Sequence, residues 1–385
     1  MTMFTQLKEQ WQKLPRKVRT AISVTLKLAL TIAAFYVLFT HPVQAGEGEK
    51  VAIYEAIVTY LPQIEARQFW FWCILAGLIK LVGVGFSAWG WHLLLKGQNI
   101  VYPFWRQIMT TWLIGRFIGT FLPSTIGLDG YTLYDAGRYS NEWERVTVAK
   151  ALEKFIGVTG LFLCMLVLLP FGVGIFGERA MLMGGIVGGV ASMIVLAVFL
   201  GTFRPGILQF FLRLPFPFRD RIETQVNRLD SAAGAYRDKP LLLCMVFFAK
   251  FVTHFTTAVV YVFTAMAVGV VDVQFFDVTF ASSIQILGTL FSPTIAGEGA
   301  REMIQAYLLA DQMGAVQSIL SASLGFIAAE AATMWGGVFW LFRNARYRPA
   351  FALVDGVQVE HNAAPPEEDD TSGDGGDLVP QTHAG

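Results

Sequence analysis

Six long apolar segments limit this chain to one class of fold. Each has about 18 residues or more, the length that crosses a bilayer as a helix. Only a helix satisfies the backbone hydrogen bonds of such a segment inside the membrane. Charged residues make up 15% of the chain and mean hydropathy is +0.51, whereas a soluble domain has about a quarter charged residues. The prediction is an all-α polytopic membrane protein, with spans at residues 20–40, 69–95, 148–171, 180–202, 241–271 and 316–342.

Two shorter apolar stretches, 104–127 and 277–297, are interrupted by Pro, Gly and polar residues. Non-helical backbone at membrane depth is tolerated only where protein or a water-filled cavity covers it. Each stretch is therefore predicted to form a re-entrant helical hairpin, which enters and leaves the membrane on the same side.

The two interrupted stretches nearly repeat each other. Residues 119–130 read GTFLPSTIGLDG, and residues 288–299 read GTLFSPTIAGEG. Broken hydrophobic segments at matching places in two halves point to a transporter's substrate site. The sequence therefore predicts an internal duplication, with halves at about 69–171 and 241–342.

Basic residues orient the predicted spans. The N-terminal segment 1–19 is basic, and so are the 203–240 loop and the segment after the last span. Basic segments stay in the cytoplasm, and all of them fall on one side only if the hairpins enter from opposite faces. This arrangement is an inverted-topology repeat. Both termini are expected in the cytoplasm of a multi-pass protein of the cell's inner membrane.

The segments outside the spans have two further predicted features. In the 203–240 loop, apolar residues recur at helical spacing, which predicts either an interfacial helix on the inner leaflet or a helix packed on the ends of the spans. The transmembrane domain is expected over 20–345. The remaining segment, 346–385, is rich in Pro, Gly and acidic residues and is expected to be a disordered acidic tail.

Ionisable groups inside spans are costly, and those that remain usually face a partner or a cavity. Lys80 and Lys250 stand out because each precedes the proline of its break by 43 residues. They are expected either to bind an anionic headgroup or to pair with Glu153 or Glu330 and tie helices together. His254 lies one turn after Lys250 and is a candidate proton relay.

The breaks carry acidic residues of their own. Asp129 and Glu298 lie among glycines where the hairpins turn back, and they are either helix caps or functional groups. Glu153 and Lys154 are expected to be a local pair or part of the site. The expected anchors at the membrane interface are the tryptophans Trp70, Trp72, Trp89, Trp91 and Trp340.

Several classes of function have no support in the sequence. The chain has no Walker-type GxxxxGK[ST] loop for ATP, no zinc-type cluster and no Ser-His-Asp context. Its three cysteines have no CxxC spacing. No cofactor, metal or nucleic-acid partner is expected, and the expected partner is a membrane lipid.

The motifs resemble the lysylphosphatidylglycerol synthase transmembrane family, a flippase-like family. FLPSTIGLDG, followed by Ala151–Phe155, is similar to its first signature, FLPGGxGGDxxR and a later Glu-Arg-Leu. SPTIAGEGAREM, residues 292–303, resembles the second, PxxxGGxGxRE. The chain departs from these patterns at Tyr131-Thr132, at Lys154 and at Glu298. The resemblance covers most of 15–345 and implies a lipid translocase without the family's lysyl-transferase domain.

These observations leave three functions open. The first is a flippase or scramblase for an anionic or phosphate-bearing lipid, such as a phospholipid or a polyprenyl-phosphate-linked lipid. The others are a membrane-embedded transferase for lipid-linked glycosyl or phosphoryl groups, and a secondary transporter of small solutes or ions. For the first, the predicted substrate-binding residues are Lys80, Arg116, Lys250 and Arg301. The predicted charge-balancing or coupling residues are Asp129, Glu153, Lys154, His254, Glu298, Glu302 and Glu330.

Overall fold

Helices dominate the computed structural model, which describes residues 15–45, 49–121, 126–204, 219–294, 297–343 and 352–359. The first seven helices are α1 (Arg16–Thr40), α2 (Ile53–Tyr60), α3 (Ala66–Gly97), α4 (Thr110–Phe121), α5 (Ile126–Ser140), α6 (Trp143–Gly172) and α7 (Ala180–Phe203). The next six are α8 (Arg219–Gly234), α9 (Pro240–Ala267), α10 (Phe275–Phe291), α11 (Ala300–Met313), α12 (Ala315–Ala331) and α13 (Trp335–Phe342). A π-helical turn, Phe104–Met109, leads into α4, and a 3-10 helix, Val173–Arg179, joins α6 to α7.

Four helical segments of the described part are long and apolar enough to cross a membrane. They are Ala66–Gly97, Trp143–Phe203, Pro240–Ala267 and Ala315–Phe342. The second has 61 residues and bends at Gly177, whose φ is 54°, so it contains the two predicted spans 148–171 and 180–202. In α1 the apolar part is shorter, Thr25–Thr40. The protein is a multi-pass membrane protein, and its number of spans stays a prediction.

Helices α3 and α9 form the centre of the bundle. A Cβ added at Gly83 would lie 2.2 Å from the Thr256 hydroxyl, and one added at Gly90 would lie 3.5 Å from the Ala249 Cβ. The contacts move backward along α9 as they move forward along α3, so the two helices are antiparallel. Glycine at these positions lets the two backbones approach closely, as in membrane helix pairs generally.

Both interrupted stretches form pairs of packed helices. Helix α4 packs against α5, and α10 packs against α11. Residues 122–125 at the first break lie outside the described residues, as do 295–296 at the second. At the second break, Gly297 and Gly299 have φ values of 74° and 78°, a backbone conformation that glycine adopts without strain.

The bounds predicted for these hairpins, 104–127 and 277–297, are wrong, because the second helix of each pair runs further. Helices α5 and α11 are too polar to be recognised by hydropathy. Their polar side chains are nevertheless covered by protein: Thr132 and Asp135 of α5, and Glu302 and Gln305 of α11, are all buried.

Two sets of helices around the centre pack in matching ways. Helix α6 packs on α9 and on α10, while α12 and α13 pack on α3 and α4. Helix α8 packs on α6 and α7, and its Leu229, Ala232 and Ala233 belong to one buried cluster with residues of α6. Of the two predictions for the 203–240 loop, the helix packed on neighbouring helices is therefore observed.

Two small antiparallel sheets lie outside the bundle. Strands β1 (Pro42–Ala45) and β2 (Glu49–Ala52) form one. The other contains β3 (Ile100–Val101), β4 (Ala352–Val354) and β5 (Val357–Val359), in the order β3-β4-β5. The C-terminal segment therefore returns to the loop that follows α3.

The last two strands correct the predicted tail, because 352–359 is structured. Asp355, in the turn between the strands, accepts hydrogen bonds from Arg145 at 2.8 Å and Asn99 at 3.1 Å. These bonds, first of all the one from Arg145, hold the pKa of Asp355 below its ordinary value. Hydropathy cannot detect such a short pairing, which depends on a strand far away in the chain. Residues 360–385 lie outside the described residues.

Candidate functional site

A buried carboxylate joins two lysines at the centre of the bundle. Glu153 of α6 accepts a hydrogen bond from Lys250 of α9 at 2.6 Å and another from Lys150, one turn away, also at 2.6 Å. The three side chains are 6–9% exposed. One negative charge thus faces two positive charges in a protein-covered environment, where such interactions are strong.

Two tryptophan rings cover these lysines. The Lys150 ammonium lies 4.1 Å from the centre of the Trp91 ring and 5.3 Å from that of Trp112, and the Lys250 ammonium also lies 5.3 Å from Trp112. An ammonium over an aromatic face is attracted by the ring quadrupole. Trp91 is 1% exposed, so its predicted role as an interface anchor is wrong.

Asp129 extends the network towards the surface. Its carboxylate lies 3.8 Å from the Lys150 ammonium and binds the Lys154 ammonium directly. Asp129 lies in the first turn of α5, where the helix dipole also stabilises a negative charge. The predicted pairing of Glu153 with Lys154 is not formed, because Lys154 turns to Asp129 while Glu153 faces the two lysines.

The two repeat lysines make equivalent hydrogen bonds. Lys80 on α3 donates to the Thr257 hydroxyl on α9 at 3.2 Å, and Lys250 on α9 donates to the Ser87 hydroxyl on α3 at 3.2 Å. Each hydroxyl residue follows the lysine of its own helix by seven residues. The same contact therefore occurs twice, with the roles of the two helices exchanged.

Lys80 differs from Lys250 in its charged partners. Its side chain is buried, with 9% exposure. Within the described ranges, no carboxylate lies at ion-pairing distance from its ammonium, and its hydrogen-bond partner is the neutral Thr257 hydroxyl. The ion pair between Arg116 of α4 and Glu330 of α12, at 2.7 Å, lies within electrostatic range of Lys80.

The Arg116–Glu330 pair leaves a donor unused. Glu330 also accepts a hydrogen bond from the Thr120 hydroxyl at 2.8 Å, so its two oxygens are both engaged. The Nε–H of Arg116 is buried and has no hydrogen-bond partner among the described residues. With Lys80, this pair gives two cations and one carboxylate, an excess of one positive charge.

His254 lies between the two lysine contacts on α9. Its Nε2 lies 2.9 Å from the carbonyl oxygen of Gly157 on α6. A ring nitrogen that faces a carbonyl carries the hydrogen, so His254 donates this bond and ties α9 to α6. Its role as a proton relay stays a prediction.

The charged residues after the second break face protein. Arg301 is 4% exposed, lies 4.0 Å from the ring centre of Phe326, and has its guanidinium 3.7 Å from Glu302. Glu302 accepts hydrogen bonds from the Gly299 amide at 2.8 Å and the Ser323 hydroxyl at 3.1 Å. Glu302 therefore closes the start of α11. Glu298 precedes the cap residue and makes no hydrogen bond or ion pair in the described part of the chain.

The structure thus divides the predicted residues into three groups. One group is the Glu153 network with Lys250, Asp129 and Lys154, and it is followed along α9 by His254. Another is Lys80 with Arg116 and Glu330, and the third is Arg301 with Glu302. Glu298 belongs to none of the three groups.

Sequence reasoning missed Lys150 and a second buried ion pair. Lys150 is three residues before Glu153 on one helix face, a spacing that predicts contact, but it lies at the edge of an apolar segment. Arg343 donates to Asp135 at 2.7 Å, and Asp135 also accepts from Gln107 at 2.6 Å and Thr111 at 2.8 Å. This pair fastens the end of α13 to the first hairpin. Among the described residues, no group of three His, Cys, Asp or Glu is placed to hold a metal ion.

Comparison with known proteins identifies the family. No curated protein and no solved structure gives a significant match. A profile of the lysylphosphatidylglycerol synthase TM region matches residues 25–336, most of the chain. That family ties the protein to lipid metabolism or transport in the membrane. The chain belongs to the lysylphosphatidylglycerol synthase transmembrane-region family.

Proposed function

We propose that this protein moves an anionic, phosphate-bearing lipid between the leaflets of the membrane, as a flippase or scramblase. The observation that carries the proposal is Lys80, a buried ammonium with no carboxylate at ion-pairing distance in the described part of the chain. A charge in that position is expensive unless an anion compensates it. The phosphate of a lipid headgroup supplies such an anion.

Arg116 completes the proposed phosphate site. Its Nε–H is unused and buried, and a guanidinium binds phosphate oxygens through more than one N–H. Glu330 holds the other edge of the guanidinium and keeps Arg116 in place while the site is empty. The site then has two donors for the phosphate, the Lys80 ammonium and the Arg116 Nε–H.

Lys250 has a different part in this proposal. Because Glu153 compensates its charge, Lys250 ties α9 to α6, as the ion-pair alternative predicts. The headgroup site therefore contains Lys80 and Arg116 but not Lys250. Arg301 stays outside this proposed site, since Glu302 and Phe326 surround its guanidinium.

The fold proposed for this function is an inverted-topology repeat with re-entrant hairpins. Lys80 and Lys250 are 170 residues apart, and so are Ser87 and Thr257. Exchanging the residues related in this way therefore converts each of the two hydrogen bonds into the other. The antiparallel arrangement of α3 and α9 supports a two-fold axis in the membrane plane. Such an axis passes between the two lysine contacts and would place the site near mid-membrane.

Lipid movement in liposomes tests the function. Lys80→Met should lower the rate of flipping of a fluorescent phosphatidylglycerol by about tenfold or more, the effect expected from a lost charge-assisted hydrogen bond. The matched control is Lys96→Met, which changes an exposed lysine at the end of the same helix. Dithionite quenching measures the lipid that reaches the outer leaflet.

Further variants make the outcome decisive. Lys80→Arg keeps the charge and should retain part of the flipping rate, and Thr257→Val should lower it, because the hydroxyl orients the ammonium. A fluorescent glucosylceramide, which has no phosphate, should not be moved. Normal flipping by Lys80→Met, or equal movement of both lipids, would show that the phosphate site lies elsewhere.

The topology is tested by labelling single cysteines. Arg138 at the end of α5 and Asp311 near the end of α11 are both exposed. In a variant without the native cysteines, a membrane-impermeant maleimide should reach positions 138 and 311 from opposite sides. Labelling of both from one side would rule out an inverted pair of hairpins.

A further inference from the structure

A cleft of about 640 Å³ lies between α6 and α8. On α6 it is lined by Thr147, Ala151 and Lys154, and on α8 by Thr224, Arg228 and Ser231. Both sets recur every three or four residues, so each comes from one face of its helix. The cleft is open on one side, and α8 belongs to the basic 203–240 segment that the sequence predicts to be cytoplasmic.

The lining of the cleft matches a phosphate group. Lys154 and Arg228 bring positive charge from the two walls, and three hydroxyl side chains add hydrogen-bond donors. No Asp or Glu is present among the described residues that line it. Arg228 has no ion pair with a carboxylate in the described ranges, so its charge is available to an anion.

The apolar part of the lining favours a lipid over a free phosphate. Val148, Ala151 and Phe155 of α6 lie beside the charged groups, and Ala232 of α8 closes the wall. These groups give an acyl chain and a glycerol backbone a surface to cover. A soluble phosphate ion would leave them exposed to water.

The cleft is connected to the buried network. The Lys154 ammonium that faces the cleft also binds Asp129, and Asp129 is followed inward by Lys150 and Glu153. A charged headgroup in the cleft would therefore touch the outermost member of the polar chain that leads to α9.

We propose that the cleft between α6 and α8 is the docking site for the phosphate headgroup of an anionic glycerophospholipid from the adjacent leaflet. This inference rests on the proposed function, for which it names the place where a lipid binds before it enters the bundle. The headgroup phosphate binds Arg228 and Lys154, and the first part of an acyl chain lies along Phe155.

Photocrosslinking in nanodiscs tests this proposal. The probe is phosphatidylglycerol with a diazirine on the acyl chain close to the glycerol ester. It should label the α6 peptide that contains Val148 and Phe155. Arg228→Gln should reduce this labelling about fivefold, the effect of one basic group beside an anionic lipid. Arg138→Gln removes an exposed arginine outside the cleft and should leave the labelling unchanged.

Competitors separate the possible ligands. Unlabelled phosphatidylglycerol should abolish the labelling, whereas excess inorganic phosphate should not. Displacement by inorganic phosphate to the same extent would assign the cleft to a soluble anion. Equal labelling of wild type and Arg228→Gln would show that the lipid probe binds the cleft through apolar contacts alone. Either result overturns the proposal.

The docking site and the proposed function can fail separately. If Lys80→Met stops flipping while labelling in the cleft persists, both proposals stand. If Lys80→Met flips normally and Arg228→Gln loses labelling, the cleft binds lipid but the proposed site at Lys80 is wrong. If flipping depends on Lys80 and labelling is indifferent to Arg228, the docking site alone is refuted.

Discussion

Replacing Glu153 with Gln should destabilise the bundle by several kcal/mol. The carboxylate of Glu153 binds Lys150 and Lys250 at 2.6 Å each, and none of the three side chains is more than 9% exposed. Gln keeps the shape of the side chain but removes its charge, so both ammoniums lose a counter-charge that they need inside the protein. Breaking a buried pair in this way costs about 3–5 kcal/mol. We expect the free energy of unfolding to fall by that amount.

A second substitution should restore part of this loss. Adding Lys250→Met to Glu153→Gln removes the ammonium whose carboxylate partner, Glu153, has been lost. The other, Lys150, keeps Asp129 at 3.8 Å and the face of Trp91 at 4.1 Å. The double variant should therefore be more stable than Glu153→Gln alone, with a coupling free energy of about 2 kcal/mol.

Unfolding in detergent micelles measures these effects. The titration of dodecylmaltoside micelles with SDS, followed by circular dichroism, gives the free energy of unfolding of each variant. Lys154→Met is the matched control, because Lys154 is 50% exposed and such surface pairs contribute about 0–1 kcal/mol. A loss below about 1 kcal/mol for Glu153→Gln, or full additivity in the double variant, would refute the bridging role of the carboxylate.

Three further predictions concern contacts elsewhere in the molecule. Gly160→Leu should greatly reduce the yield of folded protein on size exclusion, because a Cβ at Gly160 would already lie 2.8 Å from the Lys250 Cβ. Since its folded pKa is lowered, Asp355 should stabilise β4 at neutral pH and lose this contribution as pH falls through that lowered pKa. Amide-exchange protection of β4, corrected for the intrinsic rate, should show that loss, and Asp355→Asn should abolish the pH dependence. Arg301→Ala should lower the yield of folded protein, because Glu302 and the Phe326 ring lose the buried guanidinium between them, and Arg301→Lys should retain a part of the yield, because Lys cannot reproduce the planar stack on Phe326.

The sequence located both repeat lysines, because polar residues inside long apolar segments are rare and conspicuous. It also contained a signal for their partners. Ser87 and Thr257 each follow a repeat lysine by seven residues, which places both on the same helix face as that lysine. The exchange of partners between α3 and α9 was not predictable, since it depends on how the two helices pair.

Partners distant in the chain explain the other misses. Glu153 and Glu330 were both predicted as possible partners of the two lysines, but nothing local assigns Glu153 to Lys250, which is 97 residues away. Hydropathy marks surfaces that face lipid, so it overlooked α5 and α11, whose polar side chains face protein. The β3-β4 pairing joins segments too short to give a hydropathy pattern of their own. The acidic residues further along the chain led to the prediction of a disordered tail instead.

The two halves of the proposed repeat differ in whether the lysine has a carboxylate partner. Glu153 compensates Lys250, but 170 residues after Glu153 the chain has Ser323. The Ser323 hydroxyl donates to Glu302, which belongs to the second hairpin. If the repeat proposed above is correct, the difference between Glu153 and Ser323 explains why Lys250 has a carboxylate partner and Lys80 has none among the described residues. If both lysines had no carboxylate partner, an anion would bind equally well in either half. With only one such lysine, a headgroup has a single place to bind. The asymmetry between Lys80 and Lys250 is thus the feature that the proposed transport of an anionic lipid requires.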